Sequence, residues 1–589
     1  MAVVAVGVAF SATLIFQAFA RNGTHGFPLD DAWIHLSYAR VLAEHGEFAY
    51  FPGDPSTQGS TAPLYTLAVA AGMLLVDNEK LLSYALGLAG QGTFLALFVL
   101  WARRRLDSLP WALAAALLLA IDRRIGTLAA AGMETPWFLA AVAGVFAARA
   151  AGRQGLVSLA LAAALWLRPD ALILAAVVTV DQVLARTWSR AEGTGASPDA
   201  NLAALLPGAA VAMAWFLFNR LLGGTWLPNT FAAKTAYYRN RPRGTFLREE
   251  VVGAFTVDAW MILTPLALVA VAICAWHLVG RKRATFALEV GWWVALPIAY
   301  VAMLPFAHRF DRYLLPALPA VALLGVAGLR QASSWLASLG REGALMSRAL
   351  VVVGLVSALG LQVNAFGKAT GEFTFYSAYH HDRHERTGRW LAENTPSDAV
   401  VATHDIGAIA FYSGRKVVDV VGLTLPEATV HLNTPGYPSY LSDLFSRSRV
   451  THVAVLRNWL EVDNADAIFL AVAEPEYMEV FKWREGQTHL VETFVSGARA
   501  MAARTLRAGN FETAEAQAAQ VVELDPRSAR SWTLRGYAAL RAGHGDEALS
   551  HFEKALDLHP GQINAQRGAE EANRAQSGES IGTEASTEP

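Results

Sequence analysis

Long apolar stretches recur along the first two thirds of this 589-residue chain. Most are about 20 residues long, the length that an α-helix needs to cross the hydrocarbon core of a bilayer. The predicted spans are 1–20, 81–101, 110–130, 136–151, 155–169, 171–186, 202–219, 259–279, 286–305, 313–329 and 347–366. Only 17% of the residues are charged, compared with about 25% in soluble proteins. The sequence therefore predicts a polytopic α-helical membrane protein with about 11 transmembrane helices.

The distribution of basic residues predicts how these helices are oriented. Residues 18–20 resemble a signal-peptide cleavage site, but no Lys or Arg precedes them, so the first stretch is predicted to be a span. The stretch 62–76 is short and flanked by Ser, Thr and Pro, which favours a helix on the membrane surface. With the N-terminus inside, the basic clusters 103–105, 281–283 and 341–348 all face the cytoplasm, as the positive-inside rule requires.

This topology places three polar loops outside the cytoplasm. They are residues 21–80, 223–244 and 307–313. Everything after about residue 370 is also external, so the predicted membrane domain covers residues 1–366 and the C-terminal domains are extracytoplasmic.

The external C-terminal part divides into a mixed domain and a repeat module. Residues 367–497 alternate helix-like stretches with β-rich ones such as "AVVATHD", "KVVDVVG" and "THVAVL", which predicts an α/β domain. Similar segments starting at Arg507 and Arg541 are offset by 34 residues, and this period resembles the all-α tetratricopeptide repeat over 498–565. Residues 566–589 are rich in Ser, Glu and Gly and predict a disordered tail.

Net charge and cysteine content argue against nucleic-acid binding, disulfides and cysteine-rich metal sites. The formal net charge is −2, so nothing electrostatic favours nucleic acid. Cys274 is the single cysteine, which excludes intrachain disulfides and cysteine-rich metal sites.

Two adjacent carboxylates, Asp30 and Asp31, stand where the first external loop leaves the membrane. One interpretation is helix capping, because Asp is a favoured N-cap residue and a helix carrying Tyr38 is predicted to end at Gly46. The other is chemical, because an acidic pair at a membrane boundary is unfavourable unless it is paired or functional. Such a carboxylate could act as a general base on an acceptor hydroxyl.

Basic side chains recur on the same predicted outer face. They could bind a lipid-anchored phosphate, although each could also be a basic residue extending from a helix end towards water. The candidates are Arg124, Arg168, Lys234, His308, Arg309 and Arg312.

A set of ordered motifs resembles the GT-C glycosyltransferases, membrane enzymes that take sugars from polyprenyl-phosphate donors. The motifs are "LDDAWIHLSYARVLAEHGEFAYFPGDPSTQGSTAPLYTLAVA" (29–70), "GMETPWF" (132–138), "LRPD" (167–170), "LPNTFAAK" (227–234), "RFDRYLLPALP" (309–319) and "DIGAIAFYSGRKVVDVVGL" (405–423). The pattern is most similar to the cell-wall β-arabinofuranosyltransferase-like branch. It differs from that branch in "STQGSTAP", where Glu-Gly-Tyr-Thr is usual, and in the C-terminal repeats.

The resemblance implies a GT-C fold and a role for each candidate residue. Asp30 would be the catalytic base, and Asp31 would support it by orientation or metal contact. The donor phosphate would be bound by Arg168, Lys234 and Arg312, with Arg309 and Arg124 as further candidates. The substrate cavity would include Glu134, Asn229, His308 and Tyr38.

The function implied is an inverting sugar transfer at the outer face of a bacterial inner membrane. The partners would be a polyprenyl-phosphate sugar donor, a glycan, lipid or protein acceptor, and a protein or glycan bound by the repeats. No cofactor is required by the sequence, although the acidic pair is compatible with a divalent metal. The alternatives are a transporter or flippase of lipid-linked sugars, and an inactive scaffold that presents the repeats.

One further segment, "YHHDRHE" (379–385), contains potential metal ligands. His380, His381, His384 and Glu385 include pairs three or four residues apart, which a helix could bring to one face. The alternative is a polar linker between the last span and the external domain. In the following strand region, Asp405 is predicted to cap a helix, with acceptor contact as the alternative.

Overall fold

The computed structural model describes residues 1–191, 203, 206–280 and 286–577. The predicted cytoplasmic cluster 281–283 lies outside the described residues, as does the predicted tail from residue 578 onwards. The chain forms two compact units, Met1–His381 and Asp382–Pro589.

The first unit is built from helices. They are α1 Ala2–Asn22, α2 Asp31–His45, α3 Pro63–Met73, α4 Glu79–Leu106, α5 Leu109–Ala120, α6 Arg123–Ala129, α7 Thr135–Ala150, α8 Gln154–Leu167, α9 Ala171–Ala191, α10 Leu206–Gly223, α11 Asn229–Tyr237, α12 Arg243–Thr245, α13 Val252–Ala254, α14 Trp260–Val279, α15 Ala287–Met303, α16 Leu318–Ala337 and α17 Arg341–His380. A π-helical turn, Phe246–Val251, joins α12 to α13, and 3₁₀ turns lie at Arg309–Asp311 and Leu315–Ala317.

Several of these helices are apolar enough to cross a bilayer. Among the described residues, six segments meet this criterion by length and composition: Ala2–Asn22, Glu79–Leu106, Leu206–Gly223, Trp260–Val279, Arg309–Ala337 and Arg341–Asn394. The chain is therefore a multi-pass membrane protein. Other predicted spans coincide with shorter apolar helices such as α7, α8 and α15, so the total of about 11 stays a prediction. The stretch 62–76 forms the short helix α3.

Two predicted spans in this unit differ from the helices of the structure. The span 110–130 is broken into α5 and α6, because the buried Asp122 caps α6 by accepting hydrogen bonds from the backbone N–H groups of Arg124 (3.0 Å) and Ile125 (3.2 Å). The predicted last span, 347–366, lies inside the longer helix α17, which continues to His380. The residues of α17 after 366 are more polar, so a prediction based on hydropathy stops before the helix itself ends.

Glycines allow α14 and α16 to pack closely. A Cβ atom on Gly325 would lie 2.7 Å from the carbonyl oxygen of Leu263, and one on Gly328 would overlap the carbonyl oxygen of Leu266. The two glycines share one face of α16, so backbone meets backbone there, as is common where membrane helices associate.

The second unit begins with a mixed α/β domain. Its strands are β1 Val400–Thr403, β2 Lys416–Asp419, β3 His452–Leu456, β4 Val462–Asp463, β5 Ala467–Ala473, β6 Glu476–Lys482 and β7 His489–Leu490. Its helices are α18 Arg386–Asn394, α19 Ile406–Ser413, α20 Ala428–His431 and α21 Tyr437–Arg447. The main sheet has the order β2-β1-β3-β6-β5, with β1 parallel to β2 and β3, and β6 antiparallel to β3 and β5. Strands β4 and β7 form a separate pair.

Two helix pairs and one final helix form the described part of the C-terminal module. The pairs are α22 Thr493–Arg507 with α23 Phe511–Leu524 and α24 Ala529–Ala542 with α25 Gly545–Leu558, and the final helix is α26 Ile563–Gln576. The predicted start of the tail at 566 is too early, because α26 continues ten residues further. The side chain of Phe552 lies against Gly568 on α26 and Gly536 on α24, so α26 covers the last repeat.

The repeats are joined to the α/β domain by buried polar contacts. Ser528 donates a hydrogen bond to Asp463 (2.6 Å), and the His489 ring nitrogen lies 2.6 Å from the Asp525 carboxylate. Glu461 forms ion pairs with Arg499 and Arg530. These contacts connect the β4–β7 pair to the first two helix pairs.

We expect Gly328→Ala to lower the thermal unfolding temperature of the detergent-solubilised protein. The added methyl group overlaps the Leu266 carbonyl, and overpacking of this kind costs about 1–3 kcal/mol. Gly360→Ala is the matched control, because no described atom outside its own helix lies within 4 Å of an added Cβ there. Equal unfolding temperatures for the two variants would contradict the close packing of α14 and α16.

Candidate functional site

An amphiphilic cavity of about 450 Å³ lies in the first unit. Its polar wall includes Thr61, Glu134, Arg168, Asp170, Thr230, Lys234, Tyr300, Arg312 and Tyr313. Its apolar wall includes Leu172, Ile173, Ala176, Leu227, Phe231, Ala299, Met303 and Leu304. Loops predicted to share one side of the membrane thus contribute to a single cavity.

Three cations surround the ring of Tyr313. The guanidinium carbons of Arg168 and Arg312 lie 5.1 and 5.2 Å from the ring centroid, and the Lys234 ammonium lies 5.4 Å from it. Lys234 also donates a hydrogen bond to the Tyr313 hydroxyl (2.6 Å), while the Tyr300 ring stacks on Tyr313 at 5.3 Å. Of the five predicted phosphate ligands, these three are brought together.

Local backbone structure presents each cation. Arg168 adopts an extended conformation directly after α8, where the following proline disfavours further helix. Lys234 lies on α11. Arg312 follows a loop in which His308, Phe310 and Asp311 have φ values of 64°, 60° and 52°, a region that non-glycine residues rarely adopt.

Carboxylates compensate the charge of both arginines. Arg168 donates to Asp170 (2.5 Å) and lies 3.6 Å from Glu134. Arg312 donates to Asp31 (2.6 Å). Three acidic groups, Asp31, Glu134 and Asp170, therefore accompany the three cations of the cavity.

The positive surroundings keep two of these acids ionised. Burial would raise the pKa of the Asp31 carboxyl, but the cations Arg312 and Lys234 outweigh it and hold the pKa well below its usual range. Burial would also raise the pKa of the Glu134 carboxyl. A hydrogen bond from His35 and the nearby arginines outweigh burial and lower this pKa to about 2. Both groups are therefore negatively charged at neutral pH.

Asp30 occupies the N-cap position of α2, but its side chain makes no capping hydrogen bond. Its carbonyl oxygen accepts from the Trp33 N–H (2.9 Å). Asp31 lies in the first turn of α2 and contacts Arg312 at the cavity. Asp30 is adjacent to this contact but does not belong to the cavity wall formed by the described residues.

Arg124 and Arg309, the other two predicted phosphate ligands, do not belong to the cavity wall formed by the described residues. Arg124 is buried and pairs with Asp122 (3.3 Å) and Asp311 (2.9 Å), which holds the loop before α16. The Arg309 guanidinium lies over the Tyr376 ring (4.6 Å) and 3.1 Å from the His380 ring nitrogen.

The remaining cavity candidates surround the site rather than line it. His308 Nε2 is 3.6 Å from Asp31, and burial with the neighbouring cations lowers its pKa well below the usual value. Asn229 is buried at the first position of α11. The Tyr38 hydroxyl accepts a hydrogen bond from the N–H of Gly59 and lies 2.7 Å from the Thr57 hydroxyl.

Sequence reasoning missed His35 and the two tyrosines of the cavity. His35 Nε2 lies 3.4 Å from Glu134, and its Nδ1 is 3.0 Å from the Ser60 hydroxyl. A usable signal was present, because His35 follows Asp31 by four residues and so shares its helix face. Tyr300 lies in an apolar stretch, whereas Tyr313 is part of the motif 309–319, in which only the basic residues were singled out.

The histidines of 379–385 are divided between the two units. His380 contacts Arg309 in the first, whereas His384 Nε2 lies 2.7 Å from Asp405 in the second. Asp405 occupies the N-cap position of α19 without a side-chain capping bond. Within the described ranges, the group of three side chains close enough to share a metal is Glu515, His544 and Glu547, on the repeats.

Family models match two regions of the second unit. A model for the tetratricopeptide repeat matches residues 499–563, which confirms the predicted repeats. A model described as a domain of unknown function matches residues 374–512. No curated protein matches the chain.

Two solved structures resemble about four fifths of the chain. ArnT from Cupriavidus metallidurans in the apo state is 13% identical, with a TM-score of 0.52 over 80% of this chain and 97% of that one. The Archaeoglobus fulgidus oligosaccharyltransferase, tethered with an acceptor peptide through a disulfide bond, is 14% identical, with a TM-score of 0.50 over 77% and 68%. At these identities the likeness shows a shared fold. The chain therefore has the GT-C membrane fold followed by tetratricopeptide repeats, and the arabinofuranosyltransferase-like branch is not confirmed.

Proposed function

We propose that the chain is a membrane glycosyltransferase that moves a sugar from a polyprenyl-phosphate donor to an acceptor hydroxyl outside the cytoplasm. The observation that carries this proposal is a single cavity lined by three cations and by many apolar side chains. A lipid phosphate combines an anionic group, which the cations would bind, with an apolar chain, which the apolar side chains would contact.

The donor would use both walls of the cavity. Its phosphate would bind near Arg168, Lys234 and Arg312, and its isoprenoid chain would lie against apolar side chains such as Leu172 and Phe231. Charge-assisted hydrogen bonds to phosphate are stronger than neutral ones, and they gain further in the low dielectric of a membrane boundary.

The proposed chemistry is a single displacement at the anomeric carbon. Asp30 removes the proton of the acceptor hydroxyl as its oxygen forms a bond to that carbon. The bond from the carbon to the phosphate oxygen breaks, and its electron pair leaves with the polyprenyl phosphate. The cations stabilise the charge that develops on this leaving group. Attack opposite the departing phosphate inverts the anomeric configuration.

Asp31 has a different role in this proposal. Its low pKa and its contact with Arg312 make it a poor base but a strong positioning group. It orients the guanidinium that faces the phosphate. No step requires a divalent cation, because arginine and lysine side chains supply the positive charge.

The extracytoplasmic face of a bacterial inner membrane is the proposed site of the reaction. The acceptor is a glycan, a lipid or a protein, and the tetratricopeptide module is proposed to bind a protein or glycan partner. A flippase for lipid-linked sugars would use the same cavity without chemistry, and a scaffold would need neither the cavity nor Asp30. The transfer assay below separates these alternatives.

We expect Asp30→Asn to reduce sugar transfer by about 10²–10⁴-fold in reconstituted membranes, because a general base contributes on this scale. The assay measures radiolabelled sugar passing from polyprenyl-phosphate donors to acceptor. Asp77→Asn, at an exposed position in the same predicted loop, is the control and is expected to transfer normally. Full activity in Asp30→Asn protein would exclude Asp30 as the base.

We expect Lys234→Gln to raise the KM for the donor by about tenfold to a hundredfold, because a hydrogen bond to a charged group contributes about 1.5–3 kcal/mol. The measurement is initial rate against donor concentration at saturating acceptor. Arg220→Gln, on the exposed end of α10, serves as the charge-matched control. An unchanged donor KM in Lys234→Gln would remove this residue from the phosphate site.

A further inference from the structure

The first turn of α11 forms part of the cavity wall. Pro228, Thr230 and Lys234 all line the cavity, so the N-terminal end of this nine-residue helix borders it. The N-cap residue is Pro228, whose side chain cannot accept a hydrogen bond, and no side chain caps the helix. The first backbone N–H groups of an α-helix have no partner within the helix and carry partial positive charge.

Two side-chain donor groups at this helix start lack a hydrogen-bond partner among the described residues. Thr230 is only 3% exposed, and its hydroxyl makes no hydrogen bond among the described residues. The same is true of the side-chain nitrogen of the buried Asn229. Buried polar groups are nearly always hydrogen-bonded in native proteins, so an unpartnered hydroxyl on a cavity wall indicates a ligand with polar atoms.

The charge at this point favours an anion. Thr230 and Lys234 are four residues apart on α11 and therefore share one face. The hydrogen bond described for Lys234 goes to the neutral hydroxyl of Tyr313, whereas Arg168 and Arg312 each donate to a carboxylate. Lys234 is thus the least compensated of the three cations. A helix start, a hydroxyl and an ammonium group together match the oxygens of a phosphoryl group.

We propose that the N-terminus of α11 is the phosphate-binding point of the cavity, where Thr230 donates through its hydroxyl and backbone N–H and Lys234 supplies the charge. The ligand is a phosphoryl group on an apolar chain, because Leu227 and Phe231 extend the wall directly beside Thr230. The inference rests on the proposed function only in identifying this phosphate with that of the sugar donor.

The test measures binding of farnesyl phosphate to the full chain in nanodiscs, with no acceptor and no sugar transfer. We expect Thr230→Val to weaken binding about tenfold, because it replaces a hydroxyl with a methyl group of the same shape, and Thr230→Ser to retain it. Thr235→Val is the matched control on the same helix. The hydroxyl that it removes donates a hydrogen bond to the carbonyl oxygen of Phe231, within the helix. Equal binding by Thr230→Val and the wild type would overturn the proposal.

A second variant separates binding from folding. Asn229→Asp places a fixed carboxylate at the start of α11, which favours the helix but repels a phosphate. We expect farnesyl phosphate binding to fall at least about tenfold while the unfolding temperature is unchanged or raised. Retained binding in this variant would contradict an anion site there.

Competition distinguishes the sources of phosphate. Inorganic phosphate is expected to compete only weakly, and phosphatidylglycerol vesicles are expected not to compete. Equal competition by phosphatidylglycerol would indicate a general phospholipid site and overturn the inference. If Thr230-dependent binding is present but no sugar is transferred, the proposed function fails while this site stands. If transfer occurs and Thr230→Val binds normally, only this site is refuted.

Discussion

The charge balance around Tyr313 is the constraint on which the membrane unit depends. Three cations meet at one aromatic ring: Arg312 donates to Asp31 on α2, and Arg168 donates to the neighbouring Asp170 and lies 3.6 Å from Glu134 before α7. In a low-dielectric region, an uncompensated buried charge is far less favourable than an exposed one. The contacts to Asp31 and Glu134 therefore tie α2 and the start of α7 to the cationic segments, and the arrangement that balances the charges also forms the cavity.

The loop before α16 illustrates how strain is held in place. Backbone conformations such as those of His308, Phe310 and Asp311 cost about 1–3 kcal/mol each and persist only when the surroundings enforce them. Here Arg124 holds Asp311, while Arg309 is fixed against α17. Two arginines that looked like ligands in the sequence thus serve to present a third, Arg312.

Periodicity and hydropathy predicted the helices, the repeats and strands β1 to β3, because these features are encoded locally. Ordered motifs identified Glu134, Arg168, Lys234 and Arg312, which the structure brings to one cavity. Other features were not accessible to the same reasoning. The break at Asp122 lies inside an apolar stretch, so hydropathy did not reveal it. The C-terminal part of α17 is too polar for hydropathy to predict it as part of a span. Strands β5 and β6 were not among the β-rich stretches recognised in the sequence. The contacts of His35 with Glu134 and of Tyr313 with Lys234 join residues that are far apart in the sequence, so neither contact could be predicted from local patterns.

The polar junction between the α/β domain and the repeats determines what kind of module the repeats can be. Asp463 and Asp525 are buried there against Ser528 and His489, and Glu461 faces two arginines of the repeat helices. Removing the repeats would take Ser528 from Asp463, Asp525 from His489 and both arginines from Glu461. The α/β domain would then carry buried or half-buried polar groups that have lost these contacts, so the module is structurally integrated with the sheet domain and is not a detachable appendage.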